Sequence, residues 1–77
     1  MNKERRKRLQ EICDILEVQQ AALEEIRDEE QEAFDNLPEG LQSAERGQAM
    51  EEAAGDLDSA CSDLESLRDI LVEILER

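Results

Sequence analysis

Reactive side chains are few in this sequence and poorly placed to help one another. There is no histidine, tyrosine or tryptophan, so a proton-transfer catalyst would have to be a carboxylate, a cysteine or a lysine. Both lysines, Lys3 and Lys7, lie in the first eight residues. Cys13 has Asp14 and Glu17 beside it, negative charges that disfavour a nucleophilic thiolate, and no imidazole exists to activate it. Cys13 and Cys61 read instead as small apolar residues at the flank of a core, and two cysteines are too few for a disulfide framework.

Carboxylates are abundant, and metal binding is the chemistry they could support. Helical di-metal centres rely on Glu-x-x-His pairs, which this chain cannot form, and Glu29-x-x-Glu32 alone is a weak match. All-helical nucleotide pyrophosphatases hold magnesium on Glu-rich helices, but Glu25, Glu29, Glu52 and Asp56 fit that spacing only loosely. The run DLDSACSD, residues 56–63, lacks the glycine and closing glutamate of a calcium loop. The reading is no catalytic residue, no metal and no cofactor: a protein that works by binding.

Two binding chemistries stay open. The runs LEEIRDEEQEAFD (23–35) and MEEAAGDLD (50–58) would display carboxylates on solvated helix faces. Glu24, Glu25, Asp28, Glu51 and Glu52 could there imitate the phosphates of a duplex and fill a nucleic-acid-binding cleft; the plainer reading is an ordinary solvated face. The second chemistry is an anion site at the start of a helix. Ser43 as N-cap and Arg46 in the first turn would favour a phosphate among the unpaired amides, and Gly47 would let a ligand approach the backbone. Against it stands a structural use of the same residues, in which Arg46 pairs with Glu30 and fixes register near the turn. Arg27 and Arg68 are further cations that could serve a small nucleotide.

Helices must position these groups. From Leu9 to Leu37, positions step alternately by three and four through Ile12, Leu16, Leu23, Ile26 and Ala33, with only Gln19 and Glu30 polar. A second series runs from Met50 to Ile74 through Ala53, Leu57, Ala60, Leu64, Leu67 and Leu71 with no polar member. Between them Pro38 cannot sit inside a helix and disfavours helical geometry at Leu37. The expectation is an all-α fold, one domain over 1–77: helix 3–35, turn 36–43 and helix 44–76, folded as a long antiparallel hairpin of roughly 45 to 50 Å. Folding about Gly40 sets Leu9 near Leu71, Leu16 near Leu64, Leu23 near Leu57 and Glu30 near Met50. Extending the second series one step back puts Arg46 on the core seam.

Further apolar residues flank the two seams, among them Ile15, Ala22, Phe34, Ala54, Ile70 and Leu75. A stripe this wide suits a helix with two neighbours, so the hairpin is expected to form a homo-oligomer, most simply a dimeric four-helix bundle. Charge is uneven as well. The net charge is −13, yet MNKERRKR at the start carries five basic groups and one acid. This basic tip could bind phosphate. More simply, it neutralises the carboxylates and negative helix end at the other terminus of the same hairpin.

The stretch DEEQEAFDNLPEGLQSAERGQAMEEA (28–53) resembles one found in small acidic helical proteins encoded by phages and prophages of Gram-positive gut bacteria. Asn36, Leu37, Pro38, Glu39, Ser43, Glu45, Arg46 and Gly47 carry the likeness, which spans the central third to half of the chain. It implies an origin and a fold rather than an activity; small non-enzymatic phage proteins often occupy or sequester a host component, a defence protein among the candidates, and the alternative is a purely structural oligomerisation module. The candidate partners are a second copy of the chain, a host protein or a small nucleotide. Direct binding to nucleic acid would meet repulsion from the acidic rod. With no apolar run long enough for a membrane span and no secretory signal, the expected location is the cytoplasm, that of the host cell if the protein is phage-encoded.

Overall fold

Asn2 starts the first helix. Its Oδ1 accepts the Arg5 amide at 2.9 Å, and Glu4 places a carboxylate in the positively polarised first turn. In the computed structural model, which describes residues 1–77, this helix, α1, spans Lys3–Asp35. Asn36 closes it, donating its backbone N–H to Glu32 at 2.9 Å. Pro38, at φ −52° and ψ 143°, then directs the chain into a single helical turn, α2 (Glu39–Gln42). The long return helix α3 spans Glu45–Leu75.

α1 and α3 lie antiparallel as a hairpin with extents of 58 × 15 × 14 Å. The rod exceeds the 45 to 50 Å expected because α1 alone, at 33 residues, is about 50 Å long, and the turn adds to it. Helix bounds agree with the sequence reading to within a residue or so, except that the turn contains α2. No helix is long and apolar enough to cross a membrane.

The seam between the helices differs from the expected one. Leu9, Leu16, Leu23, Glu30 and Leu37 face α3 at least in part, as expected. The alternate positions are Cys13, Gln20, Arg27 and Phe34 rather than Ile12, Gln19, Ile26 and Ala33. On α3 the same one-residue shift puts Gly47, Ala54, Cys61, Arg68 and Leu75 into the seam beside Met50, Leu57, Leu64 and Leu71. Both rows are consistent heptads sharing every second member, because each helix carries an apolar stripe wider than one seam. The register differs too. Arg27 reaches Asp58 and Arg68 reaches Glu17, each about five residues further along α3 than folding about Gly40 would place them. α2 takes up chain inside the turn and moves its centre to about Gln42.

Two side chains close the ends of the rod. Gln42 Nε2 lies within 3.2 to 3.4 Å of the carbonyls of Phe34, Asp35 and Leu37, adding a side-chain donor at the end of α1, where Phe34 also accepts the Leu37 N–H. At the other end Arg6 donates from Nη1 to the Leu75 carbonyl at 2.7 Å and from Nη2 to Arg77 at 3.0 Å, tying the basic tip to the negative end of α3. The only buried residues are Cys13, Gly47, Ala54 and Cys61, all small, so the interior of a single hairpin is thin. Both cysteines are free thiols, in the seam rather than at its flank.

Candidate functional site

Each long helix contributes one arginine to the seam. Arg27 on α1 donates from Nη1 to Asp58 Oδ1 at 3.1 Å and from Nε to Asp28 Oδ1 at 3.0 Å. The hydrogen bond to Asp28 raises its pKa above the ordinary value, opposed by desolvation and helped by the charges of Asp28 and Asp58. Arg27 is therefore a permanent cation. Arg68 on α3 answers it from the other strand of the hairpin, donating to Gln20 Oε1 at 3.0 Å and lying 3.8 Å from Glu17, while its Nε is buried without a partner.

These cross-helix bonds emerge on one side of the hairpin only, and they identify its two flanks. Arg27, Asp28 and Gln31 of α1 share an open groove of about 470 Å³ with Glu51, Gly55 and Asp58 of α3. All six sit in the seam or one to two helix positions past it in the same sense, so this flank gathers the carboxylates. Glu17, Glu24 and Asp28 line it from α1, and Glu51, Asp58 and Glu65 from α3. Arg27 is the groove's one cation and already satisfies Asp28 and Asp58, which leaves Glu51 unpaired. Of the residues singled out as a phosphate-like face, Glu24, Asp28 and Glu51 fall on this flank. Glu25 and Glu52 are exposed on the backs of their helices.

The opposite flank is largely apolar, and Ile12, Ile26, Ala33, Ala53, Ala60 and Leu67, which the sequence assigned to the seam, lie on it. In an antiparallel pair, positions just before the seam on one helix meet those just before it on the other. Ile12, Ile15 and Ile26 are 49%, 60% and 51% exposed on α1; Leu67 and Ile70 are 46% and 54% exposed on α3. Ala33, Ala49, Ala53 and Ala60 continue this strip toward the turn.

The proposed anion site does not come together. Ser43 caps the C-terminal end of α2, its hydroxyl 3.4 Å from the Gly40 carbonyl, and the N-cap of α3 is Ala44, which has no capping side chain. Arg46 is exposed and makes no ion pair with Glu30, because the register shift brings Gly47, not Arg46, onto the seam. Gly47 is buried for a packing reason: a Cβ there would collide with the backbone carbonyls of Leu41 and Gln42. No three Cys, Asp or Glu side chains converge in a way that could hold a metal ion. Gln42 escaped the sequence reading because a glutamine in a loop carries no signature of three carbonyls waiting for it. Comparison with protein-family models, with curated proteins and with solved structures gives no match.

Proposed function

We propose that the protein is a non-catalytic binding protein that pairs through its apolar flank into a four-helix bundle. The pair acts by laying its acidic flanks against a basic protein surface that otherwise holds nucleic acid. The observation that carries this reading is the segregation itself: one hairpin directs Ile12, Ile15, Ile26, Leu67 and Ile70 to one side and the carboxylates Glu17, Glu24, Asp28, Glu51, Asp58 and Glu65 to the other. A solvated helix pair with no partner gains nothing from sorting its surface in this way. The thin interior supports the pairing, since so small a core supplies little stability on its own. Resemblance of the turn region to phage-encoded proteins supports a target in the host cell, where blocking a nucleic-acid-binding defence protein would be useful to a phage.

The nucleotide-sponge alternative has less support, since Ser43, Arg46, Gly47 and Glu30 do not converge on a common point. The test uses tagged protein and bacterial lysate with two controls. Host proteins retained by the wild type should be released by competing duplex DNA and by raised salt. The variant Glu24→Lys, Asp28→Lys, Glu51→Lys should retain none of them. Retention that ignores duplex, or persists in that variant, would refute the acidic flank as the working surface.

A further inference from the structure

Arg8 and Glu29 stand on the largely apolar flank, and neither takes part in an ion pair within the hairpin. They belong to its outer row, one position before the seam residues Leu9 and Glu30, with Ile15 and Ala22 between them. The inner row, beside the seam, runs through Ile12, Gln19, Ile26 and Ala33 on α1 and through Ala60, Leu67 and Ile74 on α3. Both rows repeat every seven residues, so the registers in which a second copy of the chain packs on this flank are spaced by a heptad. One of those registers suits charge and apolar contact together.

We infer that two hairpins pair antiparallel across this flank about a two-fold axis through Gln19 of α1 and Leu67 of α3, offset by about one heptad, roughly 10 Å, from full overlap of the rods. This inference rests on the pairing proposed above and specifies its direction and register. Because Arg68 bonds to Gln20 and lies near Glu17, Gln19 and Leu67 sit at one height, and a single axis passes both. On α1 that axis sets Ile12 of each copy against Ile26 of the other, Ile15 against Ala22 and Arg8 against Glu29, each contact made twice. On α3 Leu67 meets its own counterpart and Ile74 meets Ala60. α1 then faces α1 along the whole of Lys3–Asp35, and the turns project past the ends, which keeps Arg46 clear of Arg5 and Arg8. Full overlap, one heptad away, would instead set Ile15 near Glu29 and bring Arg5 to the turn. A pair running the same way would lay α1 on the other copy's α3 and meet Glu29 with Asp56, like charges, twice. Area does not separate these directions. With half the 15 Å width for each facing helix, either covers on the order of 550 Å² per copy, roughly 1,100 Å² in total. That is the lower bound of a specific interface, so the pair dissociates on dilution, and rim charges that count for little singly decide its direction. A shallow hollow of about 230 Å³ bounded by Met1, Arg5, Arg8, Leu9 and Ile12 comes under Ile26 and Glu29 of the second copy in this register.

The experiment reads mass and two distances. Glu39→Cys at the turn and, in a separate protein, Glu4→Cys near the chain start each provide an exposed thiol for a nitroxide label while buried Cys13 and Cys61 stay unmodified. Light scattering at high protein concentration should give twice the 8.8 kDa chain mass. Pulsed dipolar spectroscopy should place the turn labels roughly 60 Å apart and the start labels roughly 45 Å apart. Turn labels no farther apart than start labels would overturn the offset. Both distances at roughly 20 Å, the width of a four-helix bundle, would overturn the direction while leaving pairing intact. A monomer would overturn pairing and register together. A charge swap provides the second readout. Arg8→Glu or Glu29→Arg alone should weaken pairing about tenfold, since each reverses two rim contacts, and the two together should restore it. Absence of rescue, or tighter pairing of Glu29→Arg alone as its contact with Asp56 in a same-way pair would give, would overturn the inference.

Discussion

Replacing Gly47 by alanine should destabilise the protein, whereas the same change at Gly55 should stabilise it. Both glycines lie inside α3, where helix propensity alone favours alanine by about 1 kcal/mol. At Gly55 a Cβ meets nothing within 4 Å, so that gain should appear almost in full. At Gly47 the new methyl would collide with the carbonyls of Leu41 and Gln42. These are backbone atoms and cannot swing away, so α2 must shift, at an overpacking cost of about 1 to 3 kcal/mol. Net of propensity, Gly47→Ala should lose up to about 2 kcal/mol, and it should be less stable than Gly55→Ala by about 1 to 3. For a chain of this size 1 kcal/mol moves Tm by roughly 4 to 8 °C. Thermal unfolding followed by circular dichroism, with all samples at one protein concentration because association would feed into stability, resolves such a gap. A Gly47→Ala protein as stable as the Gly55→Ala protein would refute the close packing of the turn on α3, and with it the turn's role in setting register.

Three other substitutions or probes test separate contacts. Gln42→Ala removes the donor that serves the last carbonyls of α1 and should cost about 1 to 2 kcal/mol in urea unfolding; an unchanged midpoint would mean that water serves those carbonyls as well. Arg68→Leu should be neutral or stabilising by about 1 kcal/mol, since it replaces a seam cation with an unpaired buried Nε by an apolar side chain; a marked loss would show that its bonds to Gln20 and Glu17 outweigh desolvation. Cys13 and Cys61 should react with a thiol reagent only as fast as the hairpin opens, and rapid modification of either in the native protein would contradict their burial.

Elements were legible in the sequence where local chemistry determines them. Pro38, which cannot sit inside a helix, placed the break between the two long helices close to where α1 ends. Phase was not legible. The row through Ile12, Gln19, Ile26 and Ala33 has fewer polar members than the row through Cys13, Gln20, Arg27 and Phe34, so counting apolar residues favours the wrong one. Counting fails because the more apolar row is kept for the outer flank, while the inner seam accepts arginines that can reach its edge and find carboxylates. The turn's centre was misplaced for a related reason: Gly40 looks like a hinge, but Gly47 is the glycine whose missing side chain the packing requires. Of the candidate carboxylates, Glu24, Asp28 and Glu51 lie on the acidic flank and Glu25 and Glu52 on the backs of their helices, while Glu17, Asp58 and Glu65 carried no signal that singled them out. The anion site was not sustained, because its cap belongs to Ala44 and its arginine faces solvent.

The two clips at the ends of the rod differ most in how much chain they enclose. Gln42 bonds to residues five to eight positions away, whereas Arg6 reaches across 69 and 71 residues to the end of α3. Closing the short loop costs little entropy and the long one can be closed only after the helices between have zipped together. Folding should then nucleate at the turn and finish at the Arg6 latch. Gln42→Ala should slow refolding, and Arg6→Ala should leave refolding almost untouched while speeding unfolding, a split that stopped-flow chevrons measure directly. Such a latch makes the open end of the rod the last part to form and the first to fray.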